Sequence, residues 1–214
     1  MEIDHIFIFT DDNGKVADEL VEFGLTEGSG QSHPGQGTTN RKFYFENFFL
    51  EIVWVHNENE ITSELVRPTG LWQRANYKTN NFSRFGLGII NTEETDKLFE
   101  SALKYQPVYF TEGLTFDILK NESRPDLPWM FRMPFKGRQE RKIPEPTQHR
   151  NGLERLTKAR FTYTGDKDSF LDFFENEPQI VFSGTPDLSL ILTFDYHRKG
   201  LSQEFEKLNL TIEY

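Results

Sequence analysis

No cysteine occurs among the 214 residues, which excludes disulfides, thiolate catalysis and cysteine-ligated zinc. Excess positive charge is missing too: 24 Lys and Arg stand against 34 Asp and Glu, a formal net charge of −10. Phosphate-backbone binding needs a basic face, so nucleic acid is not an expected partner. Two local basic clusters, Lys136-Gly137-Arg138 and Arg141-Lys142, are diluted by acidic neighbours and read as a solvated loop. No apolar run approaches the ~20 residues of a membrane span. The start, Met1-Glu2-Ile3-Asp4-His5, has neither a basic nor an apolar leader. The expectation is a soluble, cytoplasmic protein with no membrane partner. Gly35-Gln36-Gly37 lacks the third glycine and following helix of a dinucleotide fingerprint. There is no Gly-x-Ser-x-Gly elbow and no His-Glu-x-x-His pair.

Aromatic residues are abundant: 21 Phe, 7 Tyr and 3 Trp. They suit either a sheet curved around a cavity or an ordinary packed core. Ile3 to Phe9 reads as a strand with Asp4 and His5 as its polar members. Asp11-Asp12-Asn13 caps a helix carrying Val16, Ala17, Leu20, Val21 and Phe23, which Gly24 stops. A short strand near Leu25 to Gly28 follows, then a polar loop, then a hairpin of Lys42 to Glu46 and Phe48 to Val55 turning near Glu46-Asn47. That order is β-α-β-β-β. It recurs with a strand at Arg84 to Ile90 and a helix begun by Thr92-Glu93-Glu94 with Leu98, Phe99, Ala102 and Leu103 on its apolar face. Extended segments near Val108 to Thr111, Leu114 to Leu119 and Trp129 to Phe135 complete the repeat.

A third unit reads as a strand at Leu156 to Tyr163, a helix at Asp166 to Asn176 and a hairpin of Ile180 to Ser183 with Leu188 to Tyr196. A short helix at Gln203 to Leu208 and a strand at Leu210 to Tyr214 close it. The organisation expected is a first module at 1–57, a linker at 58–83, a second module-like unit with its surface loop at 84–148, and a third unit at 149–214 of one domain.

The most informative stretch is His33-Pro34-Gly35-Gln36-Gly37-Thr38-Thr39-Asn40-Arg41. Its glycines and proline mark a tight loop whose backbone N–H groups can face a ligand. Anchored by apolar strands, such a donor-rich loop reads as a binding-site rim, against a solvated hairpin turn as the plainer alternative. Glu51 stands inside Phe48-Phe49-Leu50-Glu51-Ile52-Val53-Trp54, where an unpaired carboxylate is costly. It must face a cavity, meet a cation or bind a metal; with a raised pKa it is also a candidate metal-free base.

Asp4-His5-Ile6, the repeated β-α-β-β-β order and Phe49-Leu50-Glu51-Ile52-Val53 resemble the vicinal oxygen chelate superfamily. The run from His33 to Arg41, with His149-x-Asn151-Gly152, resembles its glyoxalase-like domain branch. The resemblance implies an α+β fold of repeated βαβββ modules forming cupped, mostly antiparallel sheets around a central cavity. It implies a small-molecule enzyme of lyase or isomerase type acting on a small oxygenated anionic metabolite. A non-catalytic binding or sequestering protein of the same fold is the alternative. His5 and Glu51 match two metal-ligand positions for one divalent metal (Zn, Mn, Ni or Fe), and a metal-free site is the other option.

The second ligand pair is missing from the sequence. Leu87 or Gly86 aligns with His5 in the second unit, and Trp129 to Phe135 offers only Arg132, which does not ligate. In the third unit Ala159 or Arg160 and Leu192 or Thr193 occupy the matching positions. Glu51 and His33 are the candidate catalytic residues. Thr38, Asn40, Arg41 and Arg132 are the candidate substrate-binding residues, the arginines as anion clamps. Each arginine also has a structural option, loop carbonyls for Arg41 and a strand carboxylate for Arg132. His149 and Asn151 read as turn-fixing residues. Relatives of this kind often pair to complete their cavities, so a homodimer is the expected assembly.

Overall fold

The computed structural model describes residues 1–140 and 143–214, so the Arg141-Lys142 cluster lies outside the described residues. The opening apolar run forms strand β1 (Ile3–Phe9). The Asp12 carboxylate accepts the Val16 N–H at 2.7 Å just ahead of helix α1 (Ala17–Phe23). Gly24 ends that helix at φ 114°, a left-handed conformation that glycine adopts without Cβ strain. Strands β2 (Ser32–His33), β3 (Thr38–Tyr44) and β4 (Phe49–Val55) complete the first module. The connection to the second module carries the short helices α2 (Glu58–Ile61) and α3 (Leu71–Ala75).

The second module holds β5 (Phe85–Asn91), β6 (Leu103–Tyr105), β7 (Phe116–Leu119) and β8 (Trp129–Lys136). Thr92 precedes only a 3-10 turn at Glu93–Thr95 instead of the expected helix, and the bond there runs from the Thr92 N–H to the Thr95 hydroxyl at 3.3 Å. Leu103, assigned to that helix face by its spacing, instead pairs with Ile118 as Tyr105 pairs with Phe116. The third unit supplies β9 (Leu156–Tyr163), β10 (Ile180–Gly184), β11 (Leu190–Phe194), β12 (Ser202–Phe205) and β13 (Leu210–Glu213). Its two expected helices are 3-10 turns at Leu171–Phe174 and Glu206–Leu208.

Two sheets result. The eight-stranded one runs β2-β3-β4-β1-β5-β8-β7-β6, so the two modules meet at the antiparallel β1–β5 pair with their strand order reversed. Parallel pairs β1–β4 and β5–β8 flank that centre, and antiparallel pairs lie outside them. The five-stranded sheet runs β10-β9-β11-β13-β12. Strand alternation sends Ile6, Ile8, Leu50, Ile52, Leu87 and Ile89 to one face of the large sheet, where they share a core with Phe161, Leu190, Leu192 and Ile212 of the small one. The third unit thus covers the back of the large sheet. The opposite face gathers Phe7, Phe9, Val53, Trp129 and Phe131 and curls around a cavity.

Candidate functional site

Period-two alternation decides which side chains reach the cavity. His5, Phe7 and Phe9 of β1 line it, as do Phe49, Glu51 and Val53 of β4 and Trp129, Phe131 and Met133 of β8. The cavity is half open to solvent and has a volume of about 290 Å³. Strand β5 contributes Gly86 and Gly88 to this face. A Cβ at Gly86 would lie 2.1 Å from the Phe7 ring, and one at Gly88 would lie 2.7 Å from Phe131 and 3.1 Å from His5 Nδ1. The aromatic rings therefore lie directly over a glycine floor, where ligand side chains of the second module would otherwise stand.

Polar groups gather on the first module's half. Lys42 and Glu51 are cross-strand partners on β3 and β4, and Lys42 Nζ lies 3.3 Å from Glu51 Oε1. Asn40 Nδ2 donates to the same oxygen at 3.2 Å, and Asn40 Oδ1 accepts the Gln31 N–H at 2.8 Å. Among the described residues, Glu51 Oε2 has no hydrogen-bond partner. Burial opposes ionisation of Glu51, but its charge interactions with His5, Lys42 and His33 and the Lys42 hydrogen bond outweigh it and hold the carboxyl below the ordinary glutamate range. The raised pKa expected of a cavity carboxylate is therefore reversed, because a lysine shares its burial.

Thr38 is fully buried and joins a chain of donors. The Gln36 amide donates to Thr38 Oγ1 at 2.9 Å, and Thr38 Oγ1 lies 2.8 Å from His33 Nδ1. Among the described residues Thr38 Oγ1 bonds only Gln36 and His33, so its proton is assigned to His33 Nδ1 and the imidazole proton to Nε2. Burial lowers the His33 pKa despite the nearby Glu51, so the ring is neutral at physiological pH and offers Nε2–H as a donor. His5 Nδ1 lies 2.6 Å from the Asp4 carboxylate, and its ring stacks on Phe49 at 4.4 Å.

The rim loop differs from its reading as a ligand-facing nest. Gly35 N–H and Gly37 N–H both donate to Glu60 Oε2, at 2.7 and 3.1 Å, so the chain's own carboxylate fills that nest. Both arginines are corrected as well, since neither reaches the cavity. Arg41 lies behind β3, where it bonds Glu27 (2.6 and 2.8 Å), Asp18 (2.7 Å) and the Gly14 carbonyl. Arg132 lies behind β8, between Asp117 (2.6 and 3.0 Å) and Asp96 (2.5 Å). Each has the opposite strand parity to its cavity-lining neighbours. His149 is structural: it accepts the Thr26 N–H at Nδ1 (2.9 Å) and donates from Nε2 to the Tyr44 carbonyl (3.0 Å).

The geometry brings in three residues that sequence reasoning missed. Lys42 was legible, because equal steps from the Glu46-Asn47 turn place it opposite Glu51. Tyr105 and Tyr109 had no local signal; they come from the β6 region, read as the end of a helix and a strand. A metal at His5 and Glu51 is a poor fit to this donor set. A lysine ammonium already takes the cationic position beside Glu51 Oε1, and the second module offers glycine and aromatic groups. Among the described residues, no group of three or more His, Asp or Glu side chains is arranged to hold a metal ion.

The family model for the glyoxalase-like domain matches residues 3–168. The chain belongs to the glyoxalase-like domain family. In structure this glyoxalase-like protein is similar to a hypothetical protein from Staphylococcus aureus, at 11% identity and a TM-score of 0.60, over 99% of this chain and 98% of that one. At that identity the likeness speaks for the fold. A hypothetical protein from Bacillus halodurans has 11% identity and a TM-score of 0.41, covering 66% of this chain and 98% of its own. No curated protein matches the chain. The glyoxalase-like superfamily often binds divalent metals, so the lysine-neutralised Glu51 is a departure at this site.

Proposed function

We propose that this glyoxalase-like protein is a small-molecule enzyme of lyase or isomerase type that moves a proton beside a carbonyl without a metal. One observation carries the reading: an ionised carboxylate, its lysine counter-charge and a neutral histidine donor line one end of an aromatic-walled cavity. Lys42 and His33 Nε2–H are donors for a carbonyl oxygen, and they stabilise the negative charge that develops there when the adjacent carbon loses a proton. Glu51 Oε2 is the acceptor for that proton, with Asn40 fixing the carboxylate. The same donors favour the enolate over the ground-state ketone because its oxygen carries more charge.

Proton exchange in heavy water tests this without knowledge of the product. Incubated with a panel of α-hydroxy ketones and vicinal diketones, the protein should speed hydrogen exchange at the α carbon, read by proton NMR. Glu51→Gln should lower that rate at least about 100-fold, the usual contribution of a general base. No protein-dependent exchange with any probe would sink the catalytic reading. The second reading is a protein that binds a small molecule without transforming it. It is favoured by the lowered pKa of Glu51, which makes the carboxylate a weak base.

A further inference from the structure

We infer that the loop joining β6 to β7, residues 106–115, is a lid that opens and closes over the cavity, with Tyr109 as its latch on the opposite rim. The inference rests on the cavity being the binding site, and it adds how a ligand enters and how water is kept out.

The loop holds its own shape. The Phe110 N–H donates to the Pro107 carbonyl at 3.0 Å, the Leu114 N–H to the Thr111 carbonyl at 3.1 Å, and the Gly113 N–H to Gln106 Oε1 at 3.2 Å. Tyr109 packs edge-on against Phe110 at 5.2 Å, and Phe110 packs on Phe116 of β7 at 4.8 Å. All of these contacts lie within the β6–β7 hairpin, and β6 is the outermost strand of the large sheet. A segment bonded chiefly to itself moves as a unit.

Its ties to the opposite rim are few. Among the described residues, the one hydrogen bond from the loop to the rest of the protein runs from the Tyr109 hydroxyl to Gln36 Oε1. At 3.5 Å it is a weak bond. The Tyr109 ring also stacks loosely on His33, with centroids 6.1 Å apart, and Val108 lies against Gly35. Val108 stays 61% exposed, so that contact buries little apolar surface. Lifting the loop from the rim therefore costs one weak hydrogen bond and a small apolar area. The groups beneath it are the ones that water affects most, since Tyr109 lines the cavity together with His33, Lys42 and Glu51. Closure dries the Lys42–Glu51 pair, where charge interactions are then stronger, and opening admits a ligand.

A disulfide lock tests the inference. The chain has no cysteine, so an engineered pair meets no competing thiol. A Cβ at Gly35 would lie 3.5 Å from Val108 Cβ, a separation that a disulfide spans. Gly35→Cys with Val108→Cys can be compared oxidised and reduced in one protein, so strain at position 35 enters both forms. Fluorine NMR after 3-fluorotyrosine labelling follows the latch, with the Tyr109 signal assigned by its loss in Tyr109→Phe. In the wild type and the reduced variant that signal should show two states, as split peaks or as relaxation dispersion on the μs–ms scale of lid motion. Oxidation should abolish the exchange and reductant should restore it. A single Tyr109 state in the wild type would overturn the inference, and so would exchange that survives oxidation. Where the α-hydrogen exchange reaction is present, oxidation should also suppress it reversibly. The two readings fail separately: an exchanging Tyr109 without catalysis keeps the lid, and catalysis beneath an immobile Tyr109 removes it.

Discussion

Removing the Lys42 ammonium would leave the Glu51 carboxylate buried without its counter-charge. Both side chains are less than one-tenth exposed, so water cannot replace the lost partner. Lys42→Met should destabilise the fold by roughly 3–5 kcal/mol, the usual cost of breaking a buried pair from one side. Adding Glu51→Gln should recover most of that loss, because no buried charge then remains. Urea unfolding of the two variants and the wild type checks both statements; equal stability of the single and double variants would contradict the pairing. At this scale the sequence was partly legible. Glu51 stood out as a charge among apolar neighbours, and the hairpin register held its partner Lys42, although the sequence reading did not draw that pairing. The free face of Glu51 and the proton position on His33 were not legible, since both depend on side chains brought from Gln36, Thr38 and Asn40 into one network.

Among the elements, the rim loop shows how local signals can mislead. Gly35 and Gly37 have φ of 74° and 77°, as a glycine-rich turn requires. Their N–H groups converge as expected, but the carboxylate they hold comes from α2, about 25 residues on. Glu60→Ala should therefore cost about 1–3 kcal/mol and raise amide exchange selectively at Gly35 and Gly37. Hydrogen-exchange mass spectrometry of peptides covering 31–40 reads this, and unchanged protection there would show that the nest is held by other contacts. Arg41 was misassigned for a related reason. The strand was expected to begin at Lys42, whereas β3 begins at Thr38, so alternation already puts Asn40 and Lys42 on one face and Arg41 on the other. The helix expected after Thr92 fails for a tertiary reason: Leu103 to Tyr105 gain ladder bonds to β7 that a helix would forgo.

For the whole molecule, four buried groups contribute to the response to acid: Glu51, His33, His149 and Asp126, whose carboxylate is buried but held low by Arg124 and the backbone N–H groups of Thr164 and Gly165. Glu51 is held below the ordinary glutamate value, so its contribution is complete above the unfolded value near ~4.3 and is lost as pH falls through the folded one. Burial lowers His33 and His149, with Glu51 and the Tyr44 carbonyl respectively opposing the shift. Below about 6.5 the unfolded chain takes up protons that the folded chain resists, so stability falls there too. Urea midpoints should be flat above about pH 7 and decline in two stages on acidification. Glu51→Gln should shrink the lower stage, leaving the part due to Asp126, and leave the upper one; a lower stage of unchanged size would remove Glu51 from the account. By itself the sequence determined the strand-rich repeat, the family, and the placing of His5 and Glu51 on strands. These follow from local periodicity and from a motif confined to a few neighbouring residues. Only the tertiary structure decided which arginines face away, that Glu60 fills the nest, that the third unit backs the sheet, and that Tyr105 enters the cavity. Each of those depends on which distant strand lies alongside, and pairing of that kind leaves little trace in local order.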